Sequence, residues 1–246
     1  PDAPAKDMSI TVGWNTAQAV GITREEMDAW AARSHQRAIA AIDAGKFVDE
    51  VIPLKVELPD GSAIDFSVDE HPRRDTTVEK LAGLKVLHPE IEGFSITAGN
   101  SSGTNDAAAG VALVERDYAA TNGLSVMATV KAWAAAGVTP RDCGLGALKA
   151  IGKVLDRGGL KASDVALWEI NEAFASVPIA ACKEFGLDEE LVNFSGSGCS
   201  LGHPIAASGA RMVTTLIYEL QRRGGGIGVA AMCAGGGQGG AIIIEV

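Results

Sequence analysis

ALWEINEAFA, residues 166–175, is the stretch from which the fold of this chain can be worked out. Ala166–Ile170 is a short apolar run typical of a buried strand, and Glu172–Phe185 has the spacing of a helix. Strands and helices continue to alternate on both sides of this pair. The other predicted elements of the region are a helix at Ala147–Arg157, a strand near Val192–Phe194, a helix from about Pro204 to Arg223, and strands at Ile227–Met232 and Ala241–Val246. This alternation predicts a layered α/β domain with a buried sheet.

The glycine-rich turn at 235–240 joins the last two predicted strands. Parallel neighbouring strands need a crossover connection of a dozen or more residues. This turn is much shorter, so the two strands must pair antiparallel. We therefore expect a mixed sheet.

The front of the chain predicts smaller elements. Thr23 and Glu26 form a capping box, which begins a helix that Gly45 ends. Alternating apolar residues on both sides of Pro59-Asp60-Gly61 predict a hairpin. Further along, the pattern predicts a short strand at Phe94–Thr97, a helix at Ala107–Ala120 and a strand-like run at Leu124–Val130.

Composition narrows the possible partners. The chain has 246 residues, 47% of them hydrophobic, and a formal net charge of −10. This charge argues against nucleic acid or an anionic membrane as a partner, although a local basic patch can still hold a small anion. No apolar stretch of about 18 residues and no signal peptide is found in the sequence, so we expect no membrane span. The four cysteines lack the spacing of a metal site, which predicts reduced thiols in the cytoplasm and no metal.

Three polar residues follow predicted strands, the position where α/β folds place reactive groups. His203 lies between Gly202 and Pro204 at a predicted helix start, where the helix dipole would keep the imidazole neutral. Cys233 precedes a glycine run whose amides can approach a developing oxyanion, and a thiol beside such donors ionises readily. Each has a plainer alternative: Asn171 and His203 as helix caps, and Cys233 as strand packing.

Taken together, four sequence blocks resemble the thiolase family (acetyl-CoA acetyltransferases and 3-ketoacyl-CoA thiolases). They are Asn171-Glu172-Ala173-Phe174-Ala175, the Gly-His-Pro block at Gly198–Arg211, the Cys-Ala-Gly-Gly-Gly block at Cys233–Gly239, and Thr97–Asp106 (TAGNSSGTND). The resemblance implies a layered αβαβα fold with mixed sheets, of which this chain carries the C-terminal half and a loop-domain excursion. The related ketoacyl synthases place a second histidine where Asn171 stands, so this block favours a thiolase.

The resemblance also implies roles for individual residues. His203 would activate a nucleophilic thiol and then bind a thioester oxygen, and Cys233 would carry the proton of the acyl α-carbon or of the departing coenzyme A sulfur. Asn171 would hold a water that completes an oxyanion hole with His203, and the Gly235 amide would belong to a second one. The residues implied for coenzyme A binding are Ala98, Ser102, Ala173 and Phe174 along the pantetheine arm, and Arg73 near the adenosine phosphates.

Two departures from the family pattern stand out. The family's nucleophilic cysteine lies in an earlier C-x-S-G block that is not found here, and Cys143-Gly144-Leu145-Gly146-Ala147 stands where the family usually has Met-Gly-x-Gly-Pro-x-Pro-Ala. The chain also opens without an initiator Met. We therefore expect the back portion of a thiolase, with a loop-domain segment at 1–95, the end of the N-terminal half-domain at 96–123 and the C-terminal half-domain at 124–246.

Two functions from different classes follow. The first is an acyltransferase that cleaves 3-ketoacyl-CoA with coenzyme A, or condenses acyl-CoAs, through an acyl-cysteine. The alternative is a catalytically silent subunit that binds coenzyme A esters. In either case the expected ligands are an acyl-CoA and coenzyme A, the latter as substrate and with no further cofactor. The resemblance also implies a homodimer or homotetramer, and we expect an exposed apolar strand at Ile227–Met232, which would need a partner.

Overall fold

The computed structural model describes residues 8–246 of the chain. Its helices and strands alternate through the second half, as the sequence predicts. They are α1 (Met8–Val20), α2 (Arg24–Asp43), β1 (Leu54–Glu57), β2 (Ala63–Phe66), α3 (Val78–Ala82), α4 (Arg116–Thr121), β3 (Thr129–Gly137), α5 (Leu145–Gly158), β4 (Leu167–Ile170), α6 (Ser176–Phe185), α7 (Ser208–Arg222), β5 (Ile227–Ala234) and β6 (Gln238–Glu245).

A four-stranded mixed sheet forms the centre of the second half, with strand order β3-β6-β5-β4. Strands β4 and β5 run parallel, whereas β6 is antiparallel to both β5 and β3. The short turn between β5 and β6 therefore gives the antiparallel pair that its length requires. The first half contributes the predicted hairpin, in which β1 pairs with β2 from Leu54–Phe66 to Glu57–Ala63.

Helices cover both faces of this sheet. Because side chains alternate along a strand, neighbouring residues of β6 enter different cores: Ile243 packs with the residues of α5 and α6, and Ile244 packs with Leu216 and Leu220 of α7. The sheet is thus buried on both sides, which confirms the expected α/β layering. It also makes one expectation wrong: the strand at 227–232 is an inner strand between β4 and β6, so it exposes no apolar surface for a partner.

Strand β3 forms one edge of the sheet. A register shift between Val130 and Ala132 leaves Lys131 outside the ladder, in an ion pair with Glu245. On the outer edge, Lys153 and Arg157 of α5 donate to the carbonyl oxygens of Ala135 and Trp133 at 2.9 and 2.6 Å. Two carbonyls of this edge strand therefore already have donors.

Helix α2 starts as its sequence predicts. The Thr23 hydroxyl accepts from the Glu26 amide, and the Glu26 carboxylate accepts from the Thr23 amide at 2.7 Å. The buried face of α2 turns Trp30 and Ser34 towards Glu172, which lies just after β4. The front of the chain thereby packs against the end of a central strand.

Several predicted boundaries are wrong, each for a local reason. Residues 102–115 have no regular structure where a helix was expected at 107–120, and their apolar side chains, such as Leu113, stay exposed because no described element covers them. Helix α6 begins at Ser176 rather than Glu172, because Phe174 pairs with Ser101 as an isolated bridge. Helix α7 begins at Ser208 rather than Pro204. The runs 94–97 and 192–194 form only isolated bridges, and β3 begins at Thr129.

Candidate active site

Asn171 and His203 are held together at the carboxyl end of the parallel strands. The Asn171 backbone amide donates to Ala231 of β5 at 2.9 Å, which extends the β4–β5 pairing by one residue. Its side-chain Nδ2 donates to Nδ1 of His203 at 3.3 Å. The same Nδ1 lies 2.6 Å from Oγ of Ser208, the first residue of α7, and the His203 amide donates to Oδ1 of Asn105 at 3.1 Å. Two contacts therefore hold Nδ1 of the imidazole, and a third holds the backbone of His203.

These contacts set the protonation of the ring. Asn171 Nδ2 can only donate, so Nδ1 of His203 accepts and the neutral ring carries its proton on Nε2. Burial, and secondarily the positive charge of Arg211, lower the pKa of His203. The neutral imidazole is as expected, but its expected cause is wrong. His203 lies five residues before α7 begins, and burial rather than the helix dipole has the largest effect.

The other amide atom of Asn171 lacks a partner. Oδ1 is buried, and no hydrogen-bond donor reaches it among the residues described. A buried acceptor left unpaired costs roughly 1–3 kcal/mol, so such an atom indicates a water or ligand position. This fits the water that the resemblance implies for Asn171.

Cys233 lies near the end of β5, and its partner is Cys143. The Cys143 thiol donates to the carbonyl oxygen of Ala234, the residue after Cys233, at 2.9 Å, which brings the two thiols close enough to shift each other's pKa. The neighbouring Cys233 thiol and the backbone amides of Gly237 and Gln238 lower the pKa of Cys143 to about 6, whereas Cys143 and burial raise the pKa of Cys233. The expectation that Cys233 ionises readily is therefore wrong, and Cys143 is the more acidic thiol. Burial raises the pKa of Cys182 and Cys199, in keeping with packing roles.

Close backbone packing holds this thiol pair. Gly237 has a φ of +89°, and a Cβ there would overlap the carbonyl oxygen of Val138, whose amide donates to the Gly237 carbonyl at 2.7 Å. A Cβ at Gly146 would lie 2.5 Å from the carbonyl oxygen of Gln238. Only glycines allow the β5–β6 turn to sit this close to the start of α5. Gly235 is exposed, and an oxyanion role for its amide stays a prediction.

The structure thus forms two pairs, Asn171 with His203 and Cys143 with Cys233. No hydrogen bond between residues of the described range 8–246 joins one pair to the other. Both pairs lie towards the carboxyl ends of β4 and β5, because Cys233 is two residues beyond Ala231. That His203 and Cys233 converge on one cavity stays a prediction.

The residues implied for the pantetheine arm meet along one backbone contact. The Ser102 amide donates to the Ala173 carbonyl at 3.0 Å, next to the bridge between Ser101 and Phe174. Ala98 is exposed on the loop that leads into this contact. These residues therefore share one region, and their role in binding stays a prediction.

Arg73 lies beside the site on an exposed loop. It lines a cavity of about 490 Å³ together with His71 and Asn105, the residue that holds the His203 amide. The backbone amide of Arg73 donates to Nδ1 of His35 at 3.1 Å, which fixes the loop. Glu70 and Asp75 line the same cavity, so the Arg73 guanidinium shares it with two carboxylates, and its role in binding an anion stays a prediction.

Glu172 connects the site to the front of the chain. This fully buried carboxylate accepts from Trp30 Nε1 at 2.8 Å, Ser34 Oγ at 2.6 Å, Asn193 Nδ2 at 2.8 Å and the Cys199 amide at 3.0 Å. It therefore fixes the residue that follows Asn171. Sequence reasoning missed this role, because the four donors are scattered over the chain.

Sequence reasoning also missed Ser208, Asn105 and Cys143 as parts of the site. Asn105 and Ser208 lie inside the blocks that carry the resemblance. Their polar side chains within those blocks were the one sequence signal that could have identified them as site residues. Among residues 8–246, no three His, Cys, Asp or Glu residues come together as a metal site. None of the described helices is both long and apolar enough to cross a membrane.

The protein is of the α/β class, with a mixed sheet between helix layers. Its candidate active site, at the ends of the strands, contains cysteine and histidine side chains. Family models for the thiolase N-terminal and C-terminal domains match residues 5–117 and 124–246. The chain belongs to the thiolase family.

Curated relatives agree with this assignment. The chain is 45% identical to the acetyl-CoA acetyltransferase of Pseudomonas aeruginosa over 237 residues, which cover 96% of this chain and 60% of the relative. It is 40% identical to the 3-ketoacyl-CoA thiolase of Bacillus subtilis over 238 residues, or 94% and 60% of the two chains. The chain spans about 60% of the length of these relatives.

Solved structures agree as well. The acetyl-CoA acetyltransferase of Bacillus anthracis superposes with a TM-score of 0.89 at 43% identity, covering 97% of this chain and 59% of that one. Human mitochondrial 3-ketoacyl-CoA thiolase gives a TM-score of 0.88 at 36% identity with the same coverage. The described part of the chain therefore has the thiolase fold.

Proposed function

We propose that this protein is an acyltransferase that cleaves 3-ketoacyl-CoA with coenzyme A, or joins two acyl-CoAs in the reverse direction. The observation that carries the proposal is the Asn171–His203 pair. Its geometry leaves a proton on Nε2 of His203 and an unpaired acceptor on Asn171. The names of the relatives, acetyl-CoA acetyltransferase and 3-ketoacyl-CoA thiolase, support the same reaction.

The pair suits the chemistry of a thioester enolate. Removing a proton next to a thioester places negative charge on the thioester oxygen, and fixed donors lower that barrier. Nε2–H of His203 is such a donor, and a water held by Asn171 Oδ1 would be a second. Because Asn171 is buried, His203 is half-buried and both are already oriented, they need little rearrangement when the charge develops.

Cys233 is the proposed proton carrier. It takes the α-proton in condensation and returns it in cleavage, and the neighbouring Cys143 raises its pKa. To take the proton of a nucleophilic thiol, as an acyl-cysteine mechanism requires, Nε2 of His203 would have to be free, with the ring proton on Nδ1, where Ser208 Oγ lies 2.6 Å away as an acceptor. Coenzyme A serves as substrate, and we propose no further cofactor.

Coenzyme A binding is proposed along the contact between residues 98–102 and 173–174. Ala98, Ser102, Ala173 and Phe174 would follow the pantetheine arm, since the two segments already meet there. Arg73 would contact the adenosine phosphates from the wall of its cavity.

A role in lipid metabolism, a cytoplasmic location, and a homodimer or homotetramer complete the proposal. Four free thiols suit a reducing compartment. Exposed apolar side chains such as Leu113 favour self-association. Sedimentation velocity tests the assembly, and a monomer at micromolar concentration would contradict it.

Thiolysis of acetoacetyl-CoA, followed by loss of the enolate absorbance, tests the activity. His203→Ala should lower kcat by roughly 10²–10⁴-fold with little change in coenzyme A affinity, because the imidazole acts on the barrier. The matched control is His88→Asn, which removes a histidine outside the site. Cys233→Ala should impair condensation more than acylation by acyl-CoA. Binding of acyl-CoA without turnover in the unmodified protein would instead support a silent binding subunit.

A further inference from the structure

Cys143 has no role in the proposed reaction, yet it occupies a distinctive position. It lies between the turn at Pro140–Asp142 and α5, and its carbonyl accepts from the Gly146 amide at 2.9 Å. Cys143 therefore lies two residues before the amino end of a 14-residue helix. Helix amino ends stabilise a thiolate, and a stabilised thiolate is the form that oxidants attack.

A second thiol lies next to it. The Cys143 thiol donates to the carbonyl of Ala234, the residue after Cys233, at 2.9 Å. Both cysteines keep a small exposed fraction, 5% for Cys143 and 7% for Cys233. Sensor cysteines combine an acidic thiol, an adjacent resolving thiol and access for the oxidant, and Cys143 has the first two.

The scaffold keeps the two cysteines together. Gly237 and Gly146 allow the β5–β6 turn and the start of α5 to pack backbone against backbone. The ladder pairing of Cys233 with Gly239 fixes the other side of the turn. The packing therefore holds the backbone segments that carry the two cysteines next to each other.

We propose that Cys143 and Cys233 form a peroxide-reactive pair that closes to an intramolecular disulfide. Hydrogen peroxide is the oxidant: the Cys143 thiolate attacks one oxygen, the O–O bond breaks, and Cys143 becomes a sulfenic acid as hydroxide leaves. Cys233 sulfur then attacks the Cys143 sulfur, the S–O bond breaks, and water leaves with the Cys233 proton. A reducing thiol reverses the oxidation. Blocking the proton carrier of condensation is a consequence that rests on the proposed function.

Intact-protein and peptide mass spectrometry test the pair without any activity measurement. After treatment of the full chain with a small excess of hydrogen peroxide at pH 7.5, the protein should be two hydrogen atoms lighter. The link should map to Cys143 and Cys233, and dithiothreitol should restore the original mass. Cys143→Ser should abolish the link. Cys182→Ser, which removes another buried thiol, should leave it unchanged.

A second variant separates the two steps. Cys233→Ser should stop at the sulfenic acid of Cys143, which dimedone traps. Cys143 should react on the order of 10–100 times faster than Cys182, since its larger thiolate fraction outweighs the lower nucleophilicity of a more acidic thiol. A link that involves Cys182 or Cys199, or equal oxidation rates at Cys143 and Cys182, would overturn the proposal. The disulfide can form in an inactive protein, so failure here and failure of the proposed function are distinguishable.

Discussion

Replacing Glu172 with alanine should destabilise the protein far more than an ordinary surface change. The carboxylate is fully buried and accepts four hydrogen bonds. After truncation, Ser34 can turn to Ser200, 2.7 Å away, and Asn193 keeps its bond to the Ile170 carbonyl at 2.8 Å. The Trp30 indole and the Cys199 amide lose their acceptor altogether.

The magnitude follows from these two orphaned donors. A buried donor without a partner costs about 2 kcal/mol, so Glu172→Ala should lower the free energy of unfolding by about 4 kcal/mol. This is a large part of the stability of an ordinary domain, about 5–15 kcal/mol. Glu172→Gln should lower the free energy of unfolding by less. The glutamine amide keeps one acceptor oxygen, so only some of the four donors would face its NH2 group.

Urea unfolding monitored by far-ultraviolet circular dichroism measures the difference. The matched control is Glu184→Ala, an exposed glutamate on α6, which should change stability by less than about 0.5 kcal/mol. The two glutamates belong to the same segment but differ in burial. A loss below about 1 kcal/mol for Glu172→Ala, with an unchanged m-value, would refute the reasoning.

Three other changes test further contacts. Ser208→Ala removes the 2.6 Å partner of His203 Nδ1 and should lower kcat about tenfold with KM nearly unchanged in the thiolysis assay; a change in KM alone would contradict a positioning role. Arg211→Met leaves the fully buried Glu169 without its cation and should cost about 3 kcal/mol at pH 8, measured by urea unfolding. Burial raises the pKa of Glu169 to about 7, so the loss should be smaller at pH 5.5, where the carboxyl holds a proton; an equal loss at both pH values would contradict this. Burial also lowers the pKa of His35 to about 4, so the unfolded chain binds a proton that the folded one does not, and stability should fall as pH drops from about 6.5 to about 4. His35→Gln should flatten this part of the pH profile, and an unchanged profile would count against a buried neutral histidine.

The sequence was sufficient for elements that depend on local patterns. The capping box at Thr23 and the antiparallel β5–β6 turn each depend on residues a few positions apart, and both are confirmed. The helix expected at 107–120 was wrong, because helical spacing predicts an amphipathic face but not whether anything covers it. Residues 102–115 find no such cover among the described residues.

The candidate site was also predictable only in part from the sequence. Asn171 and His203 belong to recognisable blocks, and the structure joins them. The reactivity of the cysteines was misjudged, because the pKa of a thiol depends on its partner in space. Cys143 and Cys233 are separated by most of the C-terminal region in sequence, and the contact that makes Cys143 acidic and Cys233 less so is visible only in the fold.

The outer edge of β3 has a consequence for solubility. An edge strand normally offers free carbonyls on which another chain can add a strand, and this is a common first step in aggregation. Here Lys153 and Arg157 occupy the carbonyls of Ala135 and Trp133, and the displaced Lys131 breaks the ladder near its start. Although Trp133 is 64% exposed, a second strand would have to displace two cations before it could pair. Helix α5 therefore also disfavours aggregation through strand addition at the β3 edge.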